Sequence, residues 1–512
     1  MLQEAPRGRV RAVHELVTAE LIDQVGFTPR AEYAFRHPLI RAVAYESQLR
    51  ADRAEQHRKL AATIQRLGSA DENAALIAEH LTAAEDLHAA FDWHMRAGTW
   101  LTHRDLAAAR ASWQRARDVA DRLPAADQQR LSMRIAPRTL LCASAWMAGG
   151  SMADTGFDEL RKLTGTAGDK VSLAIGMAGW VSALTVHAGF RQASYWASQL
   201  VDLLESIGDR PLTIGLLYAA ATAKLQCGDA ATCRRLSQRA IDLADGDATV
   251  GNLVISSRLT GAIMIRVCAR GTLGDPGWRA DIERSAVMVR DFGVTLRAVM
   301  LVFKYSLAVN GALLPDAAAR MEAAEVLETA ERSGDDFTLS CARYVRGLTL
   351  LMHDGPERGE GIKLLVAARE AAVQERFTMA IIGFIDVHLI NEKIRVGDLD
   401  NAVEFARTAV EADYRSGGTL TRAAGVSALV EALLRKGAPA DIREAQDALE
   451  RLAAEPTEPG FIIDDLWLLR MRDQLAHAHG DDAAYRDYCD RYREMANSVG
   501  YEGHVAWAKE MA

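Results

Sequence analysis

The feature that most constrains this chain is a regular beat of glycines. Gly189, Gly208, Gly228, Gly246, Gly271, Gly293, Gly311, Gly334 and Gly355 recur at intervals of 18 to 25 residues, and Gly397, Gly417, Gly437, Gly460, Gly480 and Gly500 continue the series. A glycine just past a helix end takes the left-handed conformation without steric cost. Each interval therefore has room for one helix of about four turns and a short connection. Two intervals make a helical hairpin, and a repeat of roughly 40 residues is near the tetratricopeptide and related solenoid periods.

Composition agrees with an all-helical build. Among 512 residues there are only 12 prolines, none of them between 357 and 438, and the 49% hydrophobic content is rich in Ala and Leu. The spacing predicts helices over 86–101, 105–123, 126–148, 154–164, 170–188, 191–207, 211–227, 230–245, 251–270, 277–292, 294–310, 316–333, 336–353, 358–375, 378–396, 399–416, 419–436, 441–454, 461–479 and 482–498. Small residues seven apart mark the close-packed face of the hairpins: Ala90 with Ala97, Ala109 with Ala116, Cys233 with Ala240 after Gly228-Asp229, and Ala402 with Ala409 after Gly397-Asp398. Such pairs let a partner helix approach closely. Gly480-Asp481 keeps the turn but puts Tyr485 and Tyr492 at the small positions, so the last repeat departs from the pattern. The segments 149–151 and 165–168 are expected to bend or divide the array, and 456–460 to form a loop.

The first 85 residues read differently. Val10, Val13, Val17 and Leu21 recur at helical spacing. Two β-prone runs, 21–25 and 32–36, flank Gly26 and Pro29, which suit a turn. Pro38 can open a helix, because its missing N–H is not needed in the first turn, and Leu39, Ile40, Val43 and Ala44 supply its apolar face. Two more helices follow, through 51–67 and 72–84. Helix, hairpin, helix is the closing half of a winged helix.

The residues at this joint carry a family resemblance. Phe35-Arg36-His37-x-Leu39-Ile40-Arg41-x-x-Ala44-Tyr45-x-x-x-Leu49, followed by Arg50, Arg53, His57 and Arg58, resembles the junction in large bacterial signalling proteins. In these, a P-loop regulatory ATPase of the STAND type ends in a winged helix that leads into a tetratricopeptide-like array. Some members begin with a class III adenylate or guanylate cyclase domain, and others end in a LuxR-type helix-turn-helix. The resemblance implies a truncated relative, with a partial winged helix over 1–50, connecting helices over 51–85, the array over 86–500 and a tail over 501–512. The ending, without a DNA-reading motif, is more similar to the cyclase-linked branch. The resemblance also implies a vestigial nucleotide-sensing role for His37 and Arg36. Read alone, the residues of this chain favour His37 as the cap of the helix at Pro38 and Arg36 as the partner of a nearby carboxylate.

Chemistry is sparse. A P-loop needs G-x-x-x-x-G-K-[ST] so that backbone amides wrap the phosphates, and none is present; Gly165 to Lys170 has the wrong spacing. There is no H-E-x-x-H and no nucleophile elbow. His477 and His479 cannot share one helical face, and Asp335-Asp336 and Asp464-Asp465 suit helix starts. The expectation is therefore a non-enzyme without metal or cofactor. Six scattered cysteines without a C-x-x-C pair read as free thiols. The formal charge of −9 argues against general nucleic-acid binding, although 1–70 holds 11 basic against 8 acidic residues. No apolar run reaches the roughly 18 residues that span a bilayer, and the start lacks a signal core, so a cytoplasmic location is expected.

Three functions stand open. The first is a non-catalytic scaffold, a right-handed superhelix binding a peptide or small ligand on its concave face. The second is the regulatory part of a cyclase or ATP-hydrolysing regulator whose ATPase or cyclase domain lies elsewhere. The third is a DNA-binding regulator using the winged-helix remnant. Aromatic residues supply oriented contact area, so Trp180, Tyr195, Trp196, Tyr305, Tyr344, Trp467 and Tyr488 are the candidate partner contacts.

Overall fold

The computed structural model describes residues 7–26, 32–102, 104–147, 152–251, 258–289, 293–353, 355–455 and 461–511. The chain divides into two compact units, 1–137 and 138–512. The division falls inside a helix at Pro137, where the missing N–H removes one main-chain hydrogen bond.

The first unit opens with α1 (Arg7–Thr18), the strands β1 (Ile22–Gly26) and β2 (Glu32–Phe35), and α2 (Pro38–Glu46). The strands pair antiparallel with Ile22 opposite Phe35 and Gln24 opposite Tyr33, and the register shifts before Gly26. Pro38 sits in the first turn of α2, as expected from its fixed φ. No residue of α2 is buried. α3 (Arg50–Arg66), α4 (Ala74–Ala83), α5 (Leu87–Leu101) and α6 (Leu106–Asp121) then pack in succession, and α7 (Arg130–Ser144) follows. Their core gathers Ile77, Leu81, Ala90, Phe91, Ala116, Val119 and Met133. Gly98 earns its place by contact: a Cβ there would lie 2.1 Å from the indole nitrogen of Trp113.

The second unit is a tetratricopeptide-like helical-repeat array. It runs through α8 (Phe157–Ala167), α9 (Lys170–Val186), α10 (Phe190–Ile207), α11 (Arg210–Gln226), α12 (Ala230–Ala244), α13 (Arg258–Leu273), α14 (Trp278–Met288), α15 (Val294–Val309) and α16 (Ala317–Ser333). α17 (Asp336–Leu351), α18 (Arg358–Val373), α19 (Ile382–Arg395), α20 (Leu399–Ser416), α21 (Arg422–Lys436), α22 (Pro439–Ala453), α23 (Ile462–His479), α24 (Asp482–Val499) and α25 (Glu502–Glu510) complete it. Every helix expected between 86 and 498 is present. Aspartates cap many of them: the carboxylates of Asp169, Asp209, Asp229 and Asp481 accept from the amide three residues on. The expected bend at 149–151 and loop at 456–460 lie outside the described residues, while 165–168 closes α8 with Gly168 in the left-handed region.

Odd-numbered helices form an inner layer. α9, α11, α13, α15 and α17 pack each on the next but one, as do α19, α21 and α23, while even-numbered helices cover them. The inner helices are buried nearly all round: every residue from Ala262 to Ala269 in α13 and from Arg422 to Val430 in α21. By contrast, α22 buries only Ala445, Leu449 and Leu452. The chain also meets itself after ten helices. The amide of Thr419, before α21, donates to Gln226 O at the end of α11, and Arg191 donates to Tyr414 O at 2.9 Å. A Cβ on Gly274 after α13 would lie 3.2 Å from Ile462 of α23. The stretch 501–512, expected as a tail, instead forms α25, with Tyr501, Gly503, His504 and Ala508 buried.

Candidate interaction surface

Three of the candidate aromatics converge on α8, α9 and α10. Gly156, at φ +66°, turns the chain into α8 and sets Phe157 as its first residue. The Phe157 ring stacks on Trp180 of α9 with centroids 5.4 Å apart, and it meets Trp196 of α10 edge-on at 5.4 Å. Tyr195 stands edge-on to Trp196 at 5.6 Å. Neighbouring residues on a helix project about 100° apart, so Trp196 faces its partner helices and Tyr195 faces outward. Phe157 is 2% exposed and Tyr195 is 62% exposed. Four rings thus form a ladder from core to surface, and the Arg161 guanidinium lies 5.8 Å from the Trp196 ring. Each aromatic pair adds about 0.5–1.5 kcal/mol beyond area burial, which holds the outer rings in place without a partner. The Trp180 Nε1 is buried and has no hydrogen-bond partner among the described residues.

The other candidates lie elsewhere. Tyr305, Tyr344 and Trp467 are core residues, with exposures of 1%, 0% and 6%, and offer no surface to a partner in this arrangement. Burial pushes the Tyr305 and Tyr344 hydroxyls above the usual phenol range. Trp467 donates its indole N–H to the Asn310 side chain at 3.3 Å. Tyr488 is half-buried on α24 with Arg491 near its ring. In the first unit, the His37 Nδ1 accepts from the Leu39 amide at 3.1 Å and caps α2. Arg36 pairs with Glu20 and lies 3.8 Å from Asp23.

Charged groups inside the array are mostly neutralised in place. Arg266 grips Asp281 with two hydrogen bonds of 2.6 and 2.9 Å, and Arg369 holds Asp386 at 2.6 Å. Hydrogen bonds from Arg395 and Arg358 hold the Glu392 carboxyl down to about 2 against the opposing effect of burial. Other carboxyls are less well matched, Asp413 and Asp464 among them. Burial pushes Asp413 up to about 6, although the Thr421 hydroxyl donates to it at 2.9 Å. Burial pushes Asp464 up to about 7, with Arg422 opposing.

This inventory supplies little for catalysis. Burial pushes the Cys268 thiol up to about 12, and those of Cys233 and Cys341 higher still, so none is a nucleophile near neutral pH. Among the described residues no group of three or more His, Cys, Asp or Glu could hold a metal ion, and no helix is long and apolar enough to cross a membrane.

No family model matches the sequence, and no curated protein matches it. Solved structures similar to this chain include a Rap protein complexed with competence and sporulation factor, with 11% identity, a TM-score of 0.41, and coverage of 80% of this chain and 99% of that one. Another is the APC/C hetero-tetramer Cut9-Hcn1, with 13% identity, a TM-score of 0.43, and coverage of 86% and 85%. Neither score reaches 0.5, and the repeat architecture stands on the helix order and packing of this chain itself.

Phe157, the ring that joins the ladder, was not among the sequence candidates. Its signal was available in outline: a large aromatic directly after Gly156, at the start of an amphipathic helix.

Proposed function

We propose that this chain is a non-catalytic interaction module that takes up a polypeptide partner on the aromatic ladder of α8, α9 and α10. The carrying observation is Tyr195, a large aromatic that stands outward, edge-on to the Trp196 ring, instead of being buried. Tyr, Trp and Arg dominate binding energy at interfaces because they bring large rigid area with a polar handle. Inner helices such as α13 and α21, which would line the concave face of an open array, are buried nearly all round, which favours the ladder on the covering helix α10.

The test is selection of binding peptides from a random library against the full chain. Peptides so selected lose about tenfold or more in affinity, about 1.4 kcal/mol, when Tyr195→Ala is introduced, while the thermal midpoint falls by no more than about 2–4 °C, the loss of one edge-on ring pair on an exposed side chain. Selected peptides that bind both proteins equally would sink the reading.

A finer reading makes the module the sensor arm of a STAND-type signalling regulator linked to cyclase or LuxR outputs, acting in the cytoplasm. It is supported by the joint sequence from Phe35 to Arg58, by the helix–hairpin–helix order there, and by six cysteines that are all free. An immunoblot of native cells decides it. A band well above 55.8 kDa supports the regulator, and a band at that mass leaves a free-standing adaptor.

A further inference from the structure

A second feature, independent of the ladder, lies at the other end of the array. α25 packs on α24 and against the region where α15 ends, nearly two hundred residues earlier. Its contacts with that region are mostly to main chain. The Glu502 amide donates to Ala312 O at 3.3 Å and the Gly503 amide to Gly311 O at 2.9 Å. The Glu502 carboxylate accepts from the Leu314 amide at 2.8 Å. The Tyr501 hydroxyl donates to Gly271 O.

His504 and Asn310 form the centre. The carbonyl of Asn310 can only accept, so the His504 Nε2 at 3.0 Å carries the proton. The His504 Nδ1 is then the acceptor for the Tyr492 hydroxyl at 2.8 Å. The Asn310 side chain donates to Leu420 O at 2.8 Å and accepts from Trp467 Nε1 at 3.3 Å. One buried asparagine is therefore read by the segments before α21, within α23 and within α25. Both backbones are stripped at the crossing: a Cβ on Gly503 would lie 2.9 Å from Gly311 Cα, and one on Gly311 would lie 2.7 Å from the Trp507 ring.

A short helical peptide can be held in this way, by the two free amides of its first turn, Glu502 and Gly503, and by side-chain seats for a few aromatic residues. The seats hold Tyr501, His504 and Trp507, the last with the Arg470 guanidinium 4.7 Å from its ring. The fit beneath is incomplete. Arg470, against the Trp507 ring, has its Nε and Nη1 buried without hydrogen-bond partners among the described residues, which penalises the docked state.

We propose that residues 500–511 are a releasable clasp, an internal peptide ligand that holds successive turns of the array together at Asn310, and that the groove beneath accepts a peptide of the same pattern, Tyr-Glu-Gly-His-x-x-Trp, when the clasp lifts. Release removes the contacts of residues 500–511 with Asn310 and Gly311, while Leu420 and Trp467 still hold the Asn310 side chain.

Two measurements on the full chain test this. In native-state hydrogen exchange, the amides of Gly503 and Val505 exchange through a partial opening at least a hundredfold faster than amides of α11 and α13; exchange of all of them together, only on global unfolding, overturns the clasp. A fluorescent peptide of residues 499–512 binds a His504→Ala chain at least tenfold more tightly than the unaltered chain, and the further change Asn310→Ala removes the gain. Equal binding to the unaltered and His504→Ala chains, or none to either, overturns the groove. If His504→Ala does not fold, the exchange measurement decides alone.

Discussion

Gly311 and Gly503 show how far one missing methyl can reach. Gly311 lies at φ +63°, a region costly for residues with a Cβ, and its absent side chain leaves room for Trp507. Gly503 sits in α25, where glycine costs about 1 kcal/mol of helix propensity relative to alanine. Judged locally, Gly503→Ala should stabilise. Its added Cβ would instead sit 2.9 Å from both the Cα and the carbonyl oxygen of Gly311, against backbone that cannot swing aside. The expected outcome is a loss on the order of 1–3 kcal/mol, the usual cost of overpacking, read as a lower midpoint in chemical denaturation. A neutral or stabilising result would show that α25 docks more loosely than its contacts indicate.

At the scale of elements, the helices were legible and their environments only partly so. Glycines after helix ends and aspartates at the next starts are local signals, read by steric and hydrogen-bonding rules that need no tertiary context. They place α5 to α24 within a few residues of the expected spans. α25 was missed for a physical reason. It is nine residues long, shorter than an isolated helix can sustain, and it carries a glycine near its start. Its order comes from Asn310 and Gly311, which no pattern in residues 500–512 encodes. The candidate aromatics divide on the same ground. Tyr344 and Tyr195 are the same residue type on helices of similar length, yet one lies on the inner layer and the other on the outer face of a covering helix. The alternation of inner and outer helices decides which is exposed, and that alternation emerges only once the array is stacked.

For the second unit as a whole, the contacts across ten helices change what its stability depends on. An open solenoid sums contributions from neighbouring repeats, whereas here buried titratable groups of the late helices share one packed interior with the early ones. Among the carboxyls held above their ordinary values are Asp413 at about 6 and Asp464 at about 7, and among the imidazoles held below are His388 at about 4 and His504 at about 3, burial being the main cause in each case. A carboxyl raised on folding contributes stability that is complete below its unfolded value near 3.8 and is lost as pH rises through 6 to 7. An imidazole lowered on folding contributes stability that is complete above 6.5 and is lost as pH falls towards 4 and 3. Between about pH 4 and 6.5 the two pairs oppose each other and nearly cancel, so these four groups leave the thermal midpoint almost level across that window. Asp464→Asn removes one of these carboxyls: the midpoint of the variant should then gain on that of the unaltered chain as pH rises from 4 to 7, and at pH 8 the variant should be more stable by on the order of 1–3 kcal/mol. Thermal melts of the two proteins over this range check the sign. A variant curve parallel to the unaltered one would mean that Asp464 keeps an ordinary carboxyl in the folded chain, with solvent reaching the start of α23 between the two turns.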